Sequence, residues 1–278
     1  MLALDKILNI YSLAALNVAI VLLAEFVGDG KYFFESGIIH IIAILFIILA
    51  ISRSFMHYYT YDPSFEKFLH ASIAALLIFA ASHFIEYLTF MTANVYEDAV
   101  FANVANMYIM SLLVLIIGGD IFMRAFSSGP TLLMKASAAA IAALTALTIM
   151  LLLRSKLISL EPDEIYPYIY GVALVSCGGF ALYQMRRIRD RISLPHGFIN
   201  YFMAATTLII IAALINIFYE FLENILVLPA HQVIYLSHFA FYAALSLMFI
   251  AFSKLSRLGG ILADAKRIDE ASGGGRTR

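Results

Sequence analysis

The chain has 278 residues, of which 63% are hydrophobic and only 13% charged. A soluble domain carries roughly a quarter charged residues, so this composition excludes a water-soluble fold and makes lipid the solvent for most of the surface. The 18 basic and 19 acidic residues leave a formal net charge of −1, with no basic excess for nucleic acid, and the lone cysteine, Cys177, excludes an internal disulfide or a multi-cysteine metal site.

A helix needs roughly 20 mainly apolar residues to cross a bilayer. On that rule eight spans are predicted, over residues 8–26, 37–54, 65–90, 99–122, 131–153, 166–183, 198–227 and 231–252. The first has an apolar stretch longer than a signal-peptide core and no small-x-small cleavage site before Gly28, so it is expected to be retained. The breaks between spans carry turn chemistry, as in Asp62-Pro63-Ser64, Ser128-Gly129-Pro130 and Leu194-Pro195-His196-Gly197. Helices are preferred to strands because the runs are long and unalternating, and backbone exposed to lipid must satisfy its own hydrogen bonds. The fifth span is rich in alanine over 136–143, a surface that lets helix backbones approach. Tyrosines at the ends of the runs suit an interfacial aromatic belt.

With the N-terminus placed inside, only Lys31, Arg154 and Lys156 of the 18 basic residues fall outside. That is a strong positive-inside bias, and it predicts a multi-pass protein of the cell membrane with both termini cytoplasmic. The chain also matches itself at an offset of 134 residues. Gly37 meets Gly171, Phe46 meets Phe180, Arg53 meets Arg187, Phe68 meets Phe202, Glu86 meets Glu220 and Tyr108 meets Tyr242. The charged pairs carry this argument, because apolar residues match by chance. The expected fold class is therefore all-α: a polytopic integral membrane protein of eight transmembrane helices in two parallel-oriented four-helix repeats, 1–126 and 131–258. A flexible cytoplasmic tail is expected over 259–278.

Rare polar residues within the spans mark the candidate site. His83 and Glu86 are three apart and share a helix face, as do Glu220 and Glu223. His231, Tyr235, His238 and Tyr242 form one stripe on the eighth span, Asn103 and Asn106 one face of the fourth, and His40 lies near the outer end of the second. Asn216 precedes Glu220 by one turn. All of these belong to the outer half of the bilayer in the predicted orientation. His57, His70 and His196 read as interfacial residues, and Asp120 with Arg124 as a helical ion pair.

An ionisable group inside a membrane is costly and is normally paired or functional. Three readings stay open. The Glu and His residues bind a cation, whose N and O donors suit zinc, manganese or iron. Alternatively the two glutamates carry protons. In the third, the groups are hydrogen-bond locks between helices. The expected function is binding and translocation of a cation, proton or small solute, with Glu86 and Glu220 as the two halves of one site. The main alternative is a sensor that signals to a cytoplasmic partner through the C-terminal tail. A haem- or metal-dependent redox or lipid enzyme comes third, haem being favoured less than a divalent metal. A homo-oligomer in the lipid bilayer is compatible with all three.

Overall fold

The computed structural model describes residues 12, 15–19, 38–54, 61, 63–92, 97–124, 135–137, 139–140, 143, 166–191 and 196–271. Seven helices lie among them: α1 (Ile38–Ser54), α2 (Pro63–Thr92), α3 (Glu97–Met123), α4 (Tyr166–Arg191), α5 (His196–Ile217), α6 (Tyr219–Leu226) and α7 (Ala230–Ala271). No strand occurs among the described residues. Of the predicted spans 8–26 and 131–153 only residues 12, 15–19, 135–137, 139–140 and 143 are described, all of them helical.

Five of these helices are long and apolar enough to cross a membrane, and α1 is a shorter apolar helix. Large apolar side chains such as Leu45, Leu77, Val172, Val175 and Phe180 are exposed along their outer faces. Water would not tolerate that surface, whereas lipid does. The described residues are built on helices alone, and the protein is a multi-pass membrane protein.

The long helices pack in a closed cycle: α1 on α2, α2 on α3, α3 on α4, α4 on α5, α5 on α7, and α7 back on α1. The core inside the cycle is aromatic. Phe68 of α2 meets Phe202 of α5 at 6.1 Å between ring centroids, and Phe65, Phe122, Phe198 and Phe252 surround them. Close approach depends on glycine at three places among the described residues, one of them Gly178 of α4, whose Cβ would lie 2.3 Å from Ile210 Cδ1. A Cβ on Gly118 of α3 would lie 2.3 Å from the Ala71 Cβ of α2, and one on Gly171 of α4 would lie 2.8 Å from the Phe218 ring.

The Gly171 contact accompanies a departure from the predicted seventh span, which is two helices and not one. α5 ends at Ile217, and α6 resumes at Tyr219 after Phe218 leaves helical geometry at φ −107°, ψ 25°. Neither Gly nor Pro stands there to break the helix. Instead the Phe218 ring is drawn against Gly171 and lies 5.8 Å from the Tyr168 ring. α6 closes on Val227 in the left-handed region, at φ 54°. The Pro229 carbonyl then accepts from Gln232 and Val233 as α7 begins.

α7 also departs from expectation. It has 42 residues, a length of roughly 63 Å at 1.5 Å per residue, about twice the hydrocarbon core of a bilayer. The stretch expected to be a flexible tail is helical through Ala271. Tyr61 anchors it by donating its hydroxyl to the Leu255 carbonyl. Burial pushes the Tyr61 phenol up to about 12, partly offset by a hydrogen bond with the Gly259 backbone, so it remains a neutral donor at physiological pH.

Gly118→Ala should destabilise the detergent-solubilised protein by about 1–3 kcal/mol, because the short Ala71 side chain cannot move aside. Gly179→Ala, whose Cβ would meet no atom within 4 Å, should leave stability unchanged or raise it through helix propensity. Thermal unfolding of both variants in one detergent reads the contrast.

Candidate functional site: a buried histidine–glutamate cluster

His40 lies in the first turn of α1, Glu86 near the C-terminal end of α2, and His238 in the third turn of α7. Antiparallel and cyclic packing brings these three places to one end of the bundle. His83, one turn before Glu86, completes the group, and all four residues are buried. The helical spacing of His83 and Glu86 does what the sequence pattern anticipates. His83 Nδ1 lies 2.9 Å from Glu86 Oε2. His40 Nδ1 approaches the same oxygen at 3.2 Å, and the two Nδ1 atoms are themselves 3.2 Å apart.

Three donor atoms therefore form a near-equilateral triangle. His238 closes the group from α7, its ring 5.0 Å from that of His40 and 6.0 Å from that of His83. Its Nδ1 donates to the Ile234 carbonyl at 3.0 Å, which leaves the buried Nε2 as a lone-pair nitrogen with no hydrogen-bond partner. His40, His83 and His238 each offer a ligand atom, and these atoms lie within 4.8 Å of one another. This arrangement could hold a metal ion. For a tetrahedral ion with metal–nitrogen bonds of 2.0–2.1 Å, ligand atoms stand about 3.3 Å apart. The His40–His83–Glu86 triangle already has edges close to that length, so only His238 would have to close in. Facing imidazoles at 3.2 Å leave no slot between them for a porphyrin, so the pair does not suit haem.

Aromatic side chains wrap the cluster. The Phe241 ring is 4.5 Å from His83, and Phe79 and Tyr108 pack behind it. The Tyr108 hydroxyl lies 3.3 Å from His83 Nε2. Tyr242 donates to the Ile39 carbonyl at 2.6 Å, beside His40. Tyr108 matches Tyr242 at the offset of 134, and nothing else in its spacing marks it as a site residue. No pattern along one helix could have shown that it reaches an imidazole on another.

The remaining sequence candidates lie elsewhere or contribute differently. Glu220 is exposed on α6, where Tyr219 donates to its carboxylate at 3.0 Å. Its surroundings differ wholly from those of Glu86. The offset of 134 carries His40 onto Leu174 and His83 onto Ile217, both buried and apolar, so Glu220 has no imidazole counterparts. Glu223 and Asn216 are half-buried near the α5–α6 break. Tyr235 is buried on α7, with the His231 ring 5.9 Å away at the helix start. Asn106 is fully buried on α3, and neither of its amide atoms has a hydrogen-bond partner among the described residues. The Asn103, His57 and His196 side chains lie outside the described residues, while His70 is exposed. The expected Asp120–Arg124 pair is present at 3.9 Å. Gln184 of α4 also donates to the buried Asp120, at 3.5 Å.

No protein-family model, curated protein or solved structure matches this chain.

The contrast between the two glutamates is measurable. Glu86→Ala should cost about 1–3 kcal/mol of stability, because it strips two buried imidazoles of their shared acceptor. Glu220→Gln, on the surface, should stay within about 0.5 kcal/mol of the parent. Denaturation of purified protein in a single detergent compares them.

Proposed function

We propose that this membrane protein binds a divalent transition-metal ion through His40, His83, Glu86 and His238, as part of cation handling across the bilayer. The observation that carries this is the convergence of three imidazoles and one carboxylate, from three helices, within a membrane bundle. Burying such groups is unfavourable unless they are paired or hold a cation. The donor set of nitrogen and carboxylate oxygen, without sulfur, suits zinc and its neighbours better than magnesium or calcium, which prefer oxygen alone.

The positive-inside bias supports a site in the outer half of the membrane, with both termini cytoplasmic. The two-repeat organisation is part of the same proposal. The helix cycle supports it, because α1, α2 and α3 neighbour one another as α4, α5 and α7 do. So do equivalent local bonds: Ser72 donates to the Phe68 carbonyl, and Thr206, 134 residues on, to that of Phe202, each at 2.9 Å. In this arrangement the site lies on the α1–α7 seam between the halves. The second half supplies His238, and Glu220 takes no part.

One observation favours signalling over translocation. The helix that bears His238 runs unbroken to Ala271, so a shift at the cluster can reach a cytoplasmic partner along one rigid element.

Protein purified without chelator and loaded with Zn(II) should hold one ion per chain by elemental analysis. His83→Ala and His238→Ala should each lower occupancy severely. Occupancy should fall as pH drops below about 6, because protons compete with the metal for imidazole nitrogen. A parent protein that retains no ion at neutral pH would refute the proposal. Zn(II) uptake into proteoliposomes then separates the two roles: uptake dependent on Glu86 marks translocation, and binding without uptake marks sensing.

A further inference from the structure

The contacts of His83 extend the metal proposal, on which this inference rests, to a residue outside the ligand set. His83 has polar neighbours at both ring nitrogens. Nδ1 faces Glu86 Oε2 at 2.9 Å and His40 Nδ1 at 3.2 Å, while Nε2 faces the Tyr108 hydroxyl at 3.3 Å. A neutral imidazole carries one proton on one of its two nitrogens. With Nδ1 against the Glu86 carboxylate, the tautomer that suits the metal-free site carries its proton on Nδ1 and leaves Nε2 to accept from the Tyr108 O–H. With a metal on Nδ1, that nitrogen must present its lone pair, so the proton stands on Nε2 and needs an acceptor.

We infer that Tyr108 is the positioning residue of this site, its hydroxyl accepting the His83 Nε2–H in the metal-bound state and donating to Nε2 in the metal-free state. A hydroxyl can do both because it is donor and acceptor at once. The proton balance runs through solvent: the Nδ1 proton leaves to water as the metal enters, one proton is taken up from water at Nε2, and the Tyr108 hydroxyl rotates from donor to acceptor keeping its own proton, so His83 stays neutral and releases no net proton. Phe79 and Phe241 occupy the space around Tyr108 and His83. They offer no substitute acceptor. Partners of this outer kind orient a ligand imidazole and set its tautomer, and their loss typically weakens metal affinity 10–100-fold.

Tyr242 supplies the control. Its hydroxyl is as deeply buried and lies at the same end of the bundle, but it donates to the Ile39 backbone carbonyl and to no imidazole. The experiment is a Zn(II) competition titration against a chromophoric chelator on the parent, Tyr108→Phe and Tyr242→Phe proteins in one detergent. It is paired with ¹⁵N NMR of the histidine rings with and without Zn(II). The expected result is a 10–100-fold weaker affinity for Tyr108→Phe, a much smaller change for Tyr242→Phe, and a parent His83 that moves from the Nδ1–H to the Nε2–H form on loading. Equal affinities in the parent and Tyr108→Phe, or a His83 tautomer that does not respond to Zn(II), would overturn the inference while leaving the metal site intact. Failure of the parent itself to bind Zn(II) would instead overturn the proposed function, and this inference with it.

Discussion

The site depends on one contact: a single carboxylate oxygen, Glu86 Oε2, approached at 2.9 and 3.2 Å by the Nδ1 atoms of two imidazoles. In a medium without water, none of these groups can satisfy itself alone. Their burial is tolerable only because three helices deliver them to the same place. That requirement constrains the relative rotation and axial position of α1 and α2, and His238 extends it to α7. A small slide of α1 along α2 would separate His40 from Glu86 and leave polar atoms facing lipid. The cluster is thus a registration device as well as a candidate site.

The aromatic core plays the complementary part. Phe65, Phe68, Phe198, Phe202 and Phe252 fill the other end of the cycle through ring contacts of 5.8–6.2 Å. These contacts are non-directional compared with the polar cluster. They resist separation of the helices but specify their axial position weakly. Packing density therefore holds the phenylalanine end together, and hydrogen-bond geometry fixes the end that bears the histidines. The division matches the sequence, in which polar residues within the spans are few and concentrated near one end of each helix.

How much of this was legible from residues alone follows the reach of each interaction. Helix type and the limits of α2 and α3 were readable within about two residues, because they depend on apolar run length and local turn chemistry. The His83–Glu86 pairing was readable too, since i, i+3 spacing is set by the helix itself. The approach of His40 and His238 to that pair was not, because it depends on how helices rotate against one another. Glu220 shows the limit of self-matching. Its residue type repeats at the offset of 134, yet the break at Phe218 separates its helix from α5 and leaves the carboxylate exposed. At that break the Phe218 ring rests on Gly171 of another helix, a contact that no spacing along one helix shows. α7 outruns its apolar stretch for a related reason: run length ends the span near residue 252, but the helix continues to Ala271, with Tyr61 bonded to it at Leu255 and Gly259.

The asymmetry between the two chain halves has a physical consequence. Residues equivalent by the offset of 134 include buried Leu174 and Ile217 where the first half has His40 and His83. One seam of the cycle, α1 against α7, therefore carries the imidazoles. The α3–α4 seam instead carries buried Asp120 and Gln184, near the opposite ends of its helices. The helix cycle thus carries unlike polar groups on these two seams and at its two ends. Two identical sites related by an axis along the membrane normal would sit at the same depth and give the bundle only one polar level. Unlike groups at the two ends of the bundle give it two polar levels.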